Sequence, residues 1–397
     1  MRERNLLGQF IDVLPGYAFA SKQFNEIGKG KPLIRIRDLK EQSIRTYFEG
    51  DYEQIFIVKK GDLLVGMDGD FNAIKWGNSE GLLNQRLCKL RTKDSKILDQ
   101  NYLEYVIKPE LRKINLLTPK TTVKHLSPKD IFAIKRSIPS LEKQRKIAEA
   151  LSDCDYLIES LKKLISKKVK IKKGAVQELL SGRKRLSDLN DEWDVKTFGE
   201  IFNFLSTATN SRRDLSEDGD TYYIHYGDIH TKFQNHLDFR IFNIPKIQRY
   251  KCKNATSLKN GDWVMADASE DYEGIGKTIE ILGLKTDSDA ISGLHTFLLR
   301  EKQPTFINEF KGHLGELKSL HDQYLRVTTG LKVYGISKSA LENLELAIPS
   351  KEEQKAITEI LSDMDKEINI LKLKLNNAKA LKSGMIKELL KEESSQI

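Results

Sequence analysis

Cysteine, metal-binding motifs and long apolar runs are all scarce in this chain. It has three cysteines in 397 residues, Cys88, Cys154 and Cys252, which lie far apart and form no CxxC pair. Their number and spacing argue against a disulfide framework or a zinc motif, and they suit a reducing cytoplasm. No stretch approaches the roughly 18 apolar residues that cross a bilayer, and the first residues lack the features of a secretory signal. We therefore expect a cytoplasmic protein without membrane contact.

The residue patterns typical of enzymes are also lacking. Gly276-Lys277-Thr278 resembles the end of a phosphate-binding loop, but the position five residues before Gly276, where that loop needs glycine, is Asp271. Asn243-Ile-Pro-Lys246 does not match the Asp/Asn-Pro-Pro-Tyr/Phe motif of amino-methyltransferases. The seven histidines form no cluster with the spacing of metal ligands. We therefore predict no catalytic, cofactor-binding or metal-binding residues.

Positive charge is present, and it is concentrated in one segment. The chain has 66 Lys and Arg against 57 Asp and Glu, a formal net charge of +9. Residues 141–185 carry 13 basic and 6 acidic side chains, whereas residues 351–393 carry 9 of each. A basic excess attracts nucleic acid, although many lysine-rich helices are only solvated surfaces.

An internal repeat is the strongest feature of the sequence. Ile138-Pro-Ser-Leu-Glu-Lys-Gln144 returns 210 positions later as Ile348-Pro-Ser-Lys-Glu-Glu-Gln354. The match continues without a gap and gives 19 identities over the 43 positions 138–180. Because proline and glycine stay in register, chance similarity of two helices does not explain the match. The chain is therefore a duplication.

The repeat extends upstream with weaker similarity and a changing offset. Lys60-Gly-Asp62 corresponds to Asn260-Gly-Asp262, and Ile34-Arg-Ile-Arg-Asp38 corresponds to Ile224-His-Tyr-Gly-Asp228. The change in offset indicates loop insertions within a common fold. Each half is thus predicted to be a variable globular domain followed by a repeated helix.

The two repeated segments have the pattern of long helices. Ser140 and Ser350 can cap the first turns, Glu353 can complete a capping box, and Gly182 is a stop signal. Apolar residues then recur at steps of three and four, which is the narrow stripe of a coiled coil. These residues are Ile147, Leu151, Cys154, Ile158, Leu161 and Ile165 in the first copy and Ile357, Leu361, Met364, Ile368, Leu371, Leu375 and Ala378 in the second.

A narrow stripe needs a partner helix. We expect the two copies in one chain to pair antiparallel, and a homodimeric coiled coil is the alternative. Gly174 and Gly384 occupy equivalent places in the helices and mark either a close backbone approach or a kink. The variable domains show strand and turn patterns, such as Pro32-Leu-Ile-Arg-Ile-Arg37 and Thr221-Tyr-Tyr-Ile-His-Tyr226. The predicted fold class is α+β, with two α/β domains separated by a pair of long antiparallel coiled-coil helices in a pseudo-two-fold repeat.

This layout resembles the specificity subunits of Type I restriction-modification enzymes over nearly the whole chain. The matching motifs are the two Ile-Pro-Ser-x-x-x-Gln helix starts, Gly61-Asp-Leu-Leu-Val65, Gly261-Asp-Trp-Val-Met265 and Gly16-Tyr-Ala-Phe-Ala-Ser-Lys-Gln-Phe24. The first half begins without a counterpart of Trp193-x-x-x-x-Phe198-Gly-Glu, the start of the second half. The predicted segments are a first target recognition domain (1–139), a first repeated helix (140–181), a linker (182–192), a second target recognition domain (193–349), a second repeated helix (350–392) and a tail (393–397).

The resemblance implies a non-catalytic protein that reads a bipartite site in double-stranded DNA. Each domain would read one half-site, and the helices would fix the gap between them. Two modification subunits would bring S-adenosylmethionine chemistry, and restriction subunits would bring ATP- and Mg²⁺-dependent translocation and cleavage. The alternatives are a coiled-coil scaffold whose two domains bind protein, or a methyltransferase or nuclease with an unrecognised site.

Candidate DNA-facing residues are basic or hydroxyl side chains near predicted strands and loops. Arginine can read guanine with two hydrogen bonds, while lysine and threonine more often position the protein on phosphates. An ordinary solvated surface is the alternative for each of these side chains. The candidates are Lys29, Lys31, Arg35, Arg37, Lys120, Thr121, Thr122 and Lys124 in the first half, and Arg212, Arg213, His230, Lys232, Thr328, Thr329 and Lys332 in the second.

Overall fold

A computed structural model describes residues 5–119, 124–186, 189 and 191–391 of the chain. These residues form two compact units. The first unit takes in the described residues of Met1–Lys162 and Lys374–Ile397, and the second unit is Lys163–Leu373. Each unit therefore combines residues of both sequence halves. The six segment boundaries given above stay a prediction.

The first unit contains two main sheets and one strand pair. Its four-stranded sheet has the antiparallel order β2-β10-β7-β8, and its five-stranded sheet, β3-β5-β4-β9-β6, includes the parallel pair β4 and β9. The strands are β1 Asn5–Leu6, β2 Ile11–Pro15, β3 Phe24–Asn25, β4 Lys31–Ile34, β5 Tyr47–Phe48, β6 Ile57–Val58, β7 Leu63–Gly66, β8 Ala73–Lys75, β9 Gly81–Leu83, β10 Leu87–Thr92 and β11 Lys135–Arg136. The helices are α1 Asp38–Glu41, α2 Gln100–Leu117, α3 Pro128–Phe132 and the first part of α4 Leu141–Leu179.

The second unit repeats this plan with longer strands. A five-stranded sheet has the order β13-β21-β17-β19-β15, and a three-stranded sheet, β16-β14-β20, contains the parallel pair β14 and β20. The strands are β12 Asp194–Thr197, β13 Phe202–Leu205, β14 Thr221–Ile224, β15 His236–Asp238, β16 Lys246–Ile247, β17 Trp263–Ala266, β18 Ala268–Ser269, β19 Thr278–Leu282, β20 Asp289–Ser292, β21 Thr296–Glu301, β22 Tyr334–Gly335 and β23 Glu345–Ile348. The helices are α5 Phe198–Ile201, α6 Tyr226–Thr231, α7 Phe310–Leu314, α8 Lys318–Val327, α9 Lys338–Glu342 and α10 Lys351–Leu389, whose end belongs to the first unit.

Residues of the apolar stripes and their neighbours on the long helices belong to the core of each unit. In the first unit Ile147 and Leu151 of α4 pack in the main core with Leu390, just beyond the end of α10. In the second unit Val176 of α4 and Leu361 of α10 share a core. Burying a leucine side chain fully stabilises the fold by about 1.5–3 kcal/mol, so these positions explain why the apolar stripe persists in both copies.

The long helices run antiparallel where they meet within each unit. In the first unit Cys154 contacts Met385 across the helix pair, and the Lys382 ammonium donates to Asp155. In the second unit Lys172 lies 2.8 Å from Asp365. The two lysines and the two aspartates are each 210 positions apart, so one ion pair is formed twice. Intramolecular antiparallel pairing is therefore confirmed.

Hydrogen bonds recur at equivalent places in the two units. The Leu7 N–H donates to the Ile134 carbonyl at 2.7 Å, and the Phe198 N–H donates to the Leu344 carbonyl at 2.8 Å. Leu7-Gly8 is thus the counterpart of Phe198-Gly199. The expectation that the first half begins without such a segment is wrong in this respect: the counterpart was missed because a leucine replaces the aromatic residue.

Two local predictions need correction. The capping box at α10 is only half present, because Ser350 Oγ accepts the Glu353 N–H at 3.3 Å while the Glu353 carboxylate accepts hydrogen bonds from Arg185 and Trp193. Of the two alternatives for Gly174 and Gly384, the close backbone approach is also wrong, and the kink stays a prediction. A Cβ atom built at either glycine meets no described atom within 4 Å, and both lie inside uninterrupted helices.

Replacing either helix glycine by alanine should stabilise the protein. Gly174→Ala and Gly384→Ala are each expected to raise the free energy of unfolding by about 0.5–1 kcal/mol, because glycine loses more backbone entropy than alanine inside a helix. Urea unfolding of the purified chain measures the change. A loss of stability at either position would mean that the helix backbone there is distorted or closely covered.

The predicted fold class is confirmed: the chain is α+β, with two α/β domains, a pair of long antiparallel helices and an internal repeat. Among the residues that the structure describes, no helix has both the length and the apolar character needed to cross a membrane.

Candidate nucleic-acid interface

A buried carboxylate gathers two of the predicted basic residues in the second unit. Asp228 lies in the first turn of α6 and is 1% exposed. Arg212 Nη2 donates to Asp228 Oδ1 at 2.8 Å, and the Lys232 ammonium lies 3.1 Å from the same oxygen. The side chains of Arg212 and Lys232 stay 49% and 51% exposed. The carboxylate therefore holds two cations while both remain accessible to a ligand.

The same short helix borders a cleft of about 750 Å³. Tyr226, Gly227 and His230 line one part of it, and the segment from Ala268 to Gly274 lines another. The lining includes three acidic side chains, Glu270, Asp271 and Glu273, which would repel a phosphate. A base edge with amino donors fits this part of the cleft better than a nucleic-acid backbone does.

His230 joins α6 to the opposite wall of the cleft. Its Nε2 atom lies 3.0 Å from the Ala268 carbonyl, which can only accept, so Nε2 carries the proton. The neighbouring Lys277 ammonium donates to the His230 carbonyl at 2.9 Å, and burial lowers the pKa of Lys277. Because the Nε2 proton is used by the Ala268 carbonyl, His230 cannot donate it to DNA in this arrangement.

The threonine-rich loop of the second half forms a hairpin beside the cleft. Thr329 and Gly335 exchange backbone hydrogen bonds, and Gly335 pairs with Ala268 of the cleft wall. Thr328 donates its hydroxyl proton to the Tyr324 carbonyl at 2.7 Å. Lys332 is exposed on the hairpin. Arg213, which follows Arg212 in the chain, is exposed as well. The structure therefore brings the predicted residues of the second half to α6 and its surroundings.

An equivalent carboxylate lies in the first unit. Asp38 is 3% exposed and begins α1, just after β4. Its carboxylate accepts the Arg35 N–H at 2.8 Å and lies 3.9 Å from Arg37 Nε. Burial raises the pKa of Asp38, against the opposing effects of the Arg35 N–H and the Arg37 charge. The strand ends at Ile34, so the expectation that Arg35 and Arg37 belong to the strand is wrong: both lie in the turn that Asp38 closes.

The other predicted residues of the first half are more dispersed. Lys29 is exposed, and its backbone N–H donates to Asn25. Lys31 lies 2.5 Å from Glu80, and this hydrogen bond raises the pKa of Lys31. The Lys124 ammonium donates to both oxygens of Asn115, which reduces its availability. Lys120, Thr121 and Thr122 lie outside the described residues.

Two ionisable side-chain pairs lie next to the ends of β7 and β17, and they were not identified from the sequence. The Met67 N–H donates to the Arg86 carbonyl and the Asp267 N–H donates to the His295 carbonyl, so Arg86 and His295 occupy equivalent positions. Arg86 lies 2.9 Å from Asp68, and His295 lies 3.3 Å from Asp267. Because each pair joins separate loops, no sequence spacing indicates it.

One cluster in the second unit has the residue types of a metal site. Ligand atoms of His313, Glu316 and Asp365 lie within 4.8 Å of one another. The Lys172 ammonium, however, lies 2.6 Å from Glu316 and 2.8 Å from Asp365 and already pairs with both carboxylates. Burial lowers the pKa of His313 to about 3, so this histidine is neutral near pH 7. We assign no metal to the cluster.

Known proteins share both the sequence pattern and the fold. The family model described as Type I restriction modification DNA specificity domain matches twice, at residues 5–170 and 190–380. The EcoBI specificity subunit of Escherichia coli is 38% identical over 151 residues, which is 38% of this chain and 32% of that protein. The MjaVIII specificity subunit of Methanocaldococcus jannaschii is 25% identical over 97% of this chain and 91% of its own length.

A solved structure shows the same architecture. The S subunit of a Type I restriction-modification system from M. genitalium superposes with a TM-score of 0.58, at 16% identity, over 98% of this chain and 96% of that chain. At this identity the likeness shows the fold, and the two domain matches show the family. The resemblance drawn from the sequence is thereby confirmed, and the chain belongs to the Type I restriction-modification DNA specificity family.

Proposed function

We propose that this chain reads a bipartite DNA target, with one recognition domain for each half-site. The observation that carries the proposal is the equivalent site in each repeated domain: a buried aspartate at the start of a short helix, surrounded by basic side chains that remain exposed. The exposed cations add little to stability, because exposed ion pairs contribute at most about 1 kcal/mol, so their recurrence beside both aspartates favours a role in ligand contact.

The chemistry of the complex belongs to other chains in this proposal. Two modification subunits supply S-adenosylmethionine-dependent methylation, and restriction subunits supply ATP- and Mg²⁺-dependent translocation and cleavage. The chain itself is non-catalytic and works in the cytoplasm. The three cysteines, all free and buried, are in keeping with that compartment. The fifteen residues predicted from the sequence are its DNA-facing candidates, with Arg37, Arg212 and Lys232 the best supported by geometry.

Exchange of one domain should change one half-site only. We expect that replacing residues 1–136 by the equivalent domain of a relative alters the half-site read by the first domain and leaves the other intact. The donor should keep counterparts of Arg136 and Glu110, because Arg136 donates to Glu110 and to the Leu390 carbonyl and so docks the domain on the residue that follows α10. Methylation mapping of DNA from cells that express the complete methyltransferase gives the result directly.

Matched measurements separate this function from its alternatives. The reciprocal exchange, of the second domain, is the control and should change the other half-site only. A change in both half-sites after a single exchange contradicts the modular proposal. A protein-binding scaffold would show no strongly salt-dependent DNA binding. Robust methylation or cleavage by the purified chain alone, free of partner subunits, would show that it is an enzyme.

A further inference from the structure

The short helices after β4 and β14 begin with the same turn. The Asp38 N–H donates to the Arg35 carbonyl at 2.9 Å, and the Asp228 N–H donates to the His225 carbonyl at 2.8 Å. The preceding strands are each paired in parallel with another strand, β4 with β9 and β14 with β20. Asp38 and Asp228 are therefore equivalent residues of the two domains.

The residue before the aspartate differs between the two domains, and a residue from another segment makes up for the difference. Position 37 is arginine, whereas the equivalent position 227 is glycine. A Cβ atom built on Gly227 would lie 3.1 Å from Arg212 Nη2. In the first domain Arg37 supplies a guanidinium from the position before the aspartate. In the second domain Arg212 supplies it from a separate segment. Two unrelated segments place the same chemical group beside the same buried carboxylate.

Stability does not explain this recurrence. Arg37 and Arg212 are 51% and 49% exposed, so their ion pairs with the aspartates are screened by solvent. Burial of the carboxylate itself is unfavourable, and Asp228 Oδ2 is buried without a hydrogen-bond partner among the described residues. What the arrangement does achieve is to restrict the guanidinium: Arg212 donates to Asp228 at 2.8 Å, and Arg37 Nε lies 3.9 Å from Asp38. Thr46 Oγ1 adds to this restriction in the first domain by accepting from Arg37 Nη2 at 3.1 Å.

A restricted guanidinium is suited to reading a base. A phosphate contact tolerates a mobile cation, whereas a bidentate contact to guanine O6 and N7 requires the fork to lie in a set plane. We propose that Arg37 and Arg212 are equivalent guanine-reading residues, one for each half-site, and that Asp38 and Asp228 are the residues that position them. This inference rests on the proposed function.

The test uses the complete methyltransferase and duplexes in which each base pair of both half-sites is substituted in turn. Arg212→Lys keeps the positive charge and removes the planar guanidinium with its paired N–H donors. It should reduce discrimination at one guanine of the second domain's half-site by about 5- to 150-fold, the equivalent of 1–3 kcal/mol, and leave the other half-site unchanged. Arg37→Lys should reduce discrimination at one guanine of the first domain's half-site and leave the second domain's half-site unchanged. Asp228→Asn should reduce discrimination at the same guanine as Arg212→Lys does. The double variant should discriminate at that guanine no less than Arg212→Lys alone.

Arg240→Lys is the matched control. Arg240 pairs with Asp238 at 2.6 Å in the same unit but outside this site, so its replacement should leave every base preference unchanged. Equal weakening on all sequences by Arg212→Lys would indicate a phosphate contact and overturn the proposal. Unchanged base preferences in both arginine variants would also overturn it while bipartite recognition stands. Absence of any bipartite preference in the unaltered complex would instead refute the proposed function.

Discussion

Replacing Gln354 by alanine should lower the free energy of unfolding of the second unit by about 3–5 kcal/mol. Gln354 is buried at the start of α10. Its Oε1 accepts the Ile307 N–H at 2.9 Å, and its Nε2 donates to the carbonyls of Pro349 and Thr305 at 2.9 and 3.1 Å. The alanine variant removes the partner of one buried and two partly buried backbone hydrogen bonds. A buried group left unsatisfied costs about 1–3 kcal/mol, and water relieves part of this cost.

Gln144 provides the matched test in the first unit. It is buried at the start of α4, accepts the Asp99 N–H at 2.8 Å, and donates to the carbonyls of Ile97 and Pro139. Gln144→Ala should therefore destabilise its own unit by a similar amount. Hydrogen exchange followed by mass spectrometry resolves the two units, and the exposed Gln303→Ala is the control. A loss below about 1 kcal/mol in both units would mean that water replaces the glutamine fully.

The repeated helices and their antiparallel pairing could be predicted because their cause is periodic and local. Apolar residues at steps of three and four define a seam, and two copies in one chain supply the partner. The motif Ile-Pro-Ser-x-x-x-Gln marked both helix starts, but the role of its glutamine could not be deduced. The groups that Gln354 bonds in the preceding domain are 47 and 49 residues away, and no local pattern indicates them.

The candidate site was predicted in part. Arg37, Arg212 and Lys232 were identified by residue type, and the structure places each beside a buried aspartate. The aspartates themselves were matched as part of the repeat but given no role. The compensation between Gly227 and Arg212 could not be predicted, because the two residues are brought together only by folding.

The strand boundary at Ile34 shows how a local hydrogen bond overrides a pattern. The alternation in Leu33-Ile-Arg-Ile-Arg37 predicts a strand through Arg37. The Asp38 carboxylate accepts the Arg35 N–H, a group that a continuing strand would offer to its neighbour. Short polar side chains compete with strand pairing in this way, and a helical turn begins at Asp38 as a result.

Removal of the buried Lys311 ammonium should be about as damaging as loss of Gln354. Lys311 is 1% exposed and contacts Glu301, and its Nζ lies 3.8 Å from the fully buried Glu280. Lys311→Met keeps the volume but leaves both carboxylates without their cation. Breaking a buried pair in this way costs about 3–5 kcal/mol. Urea unfolding near pH 7.5 measures the loss, and Lys318→Met, which breaks an exposed pair with Asp322, should change stability by less than about 1 kcal/mol.

The pH dependence of the Lys311→Met variant identifies the cause. Burial raises the pKa of Glu280, and the Lys311 charge is the main effect that opposes this rise. Without Lys311 the pKa of Glu280 in the folded protein rises further above that of the unfolded chain. The deficit should therefore be largest at neutral pH and shrink as pH falls through the raised pKa of the variant. Adding Glu280→Gln should flatten this dependence. A deficit that stays constant from pH 7.5 to 5 would show that lost packing, and not the uncompensated charge of Glu280, destabilises the variant.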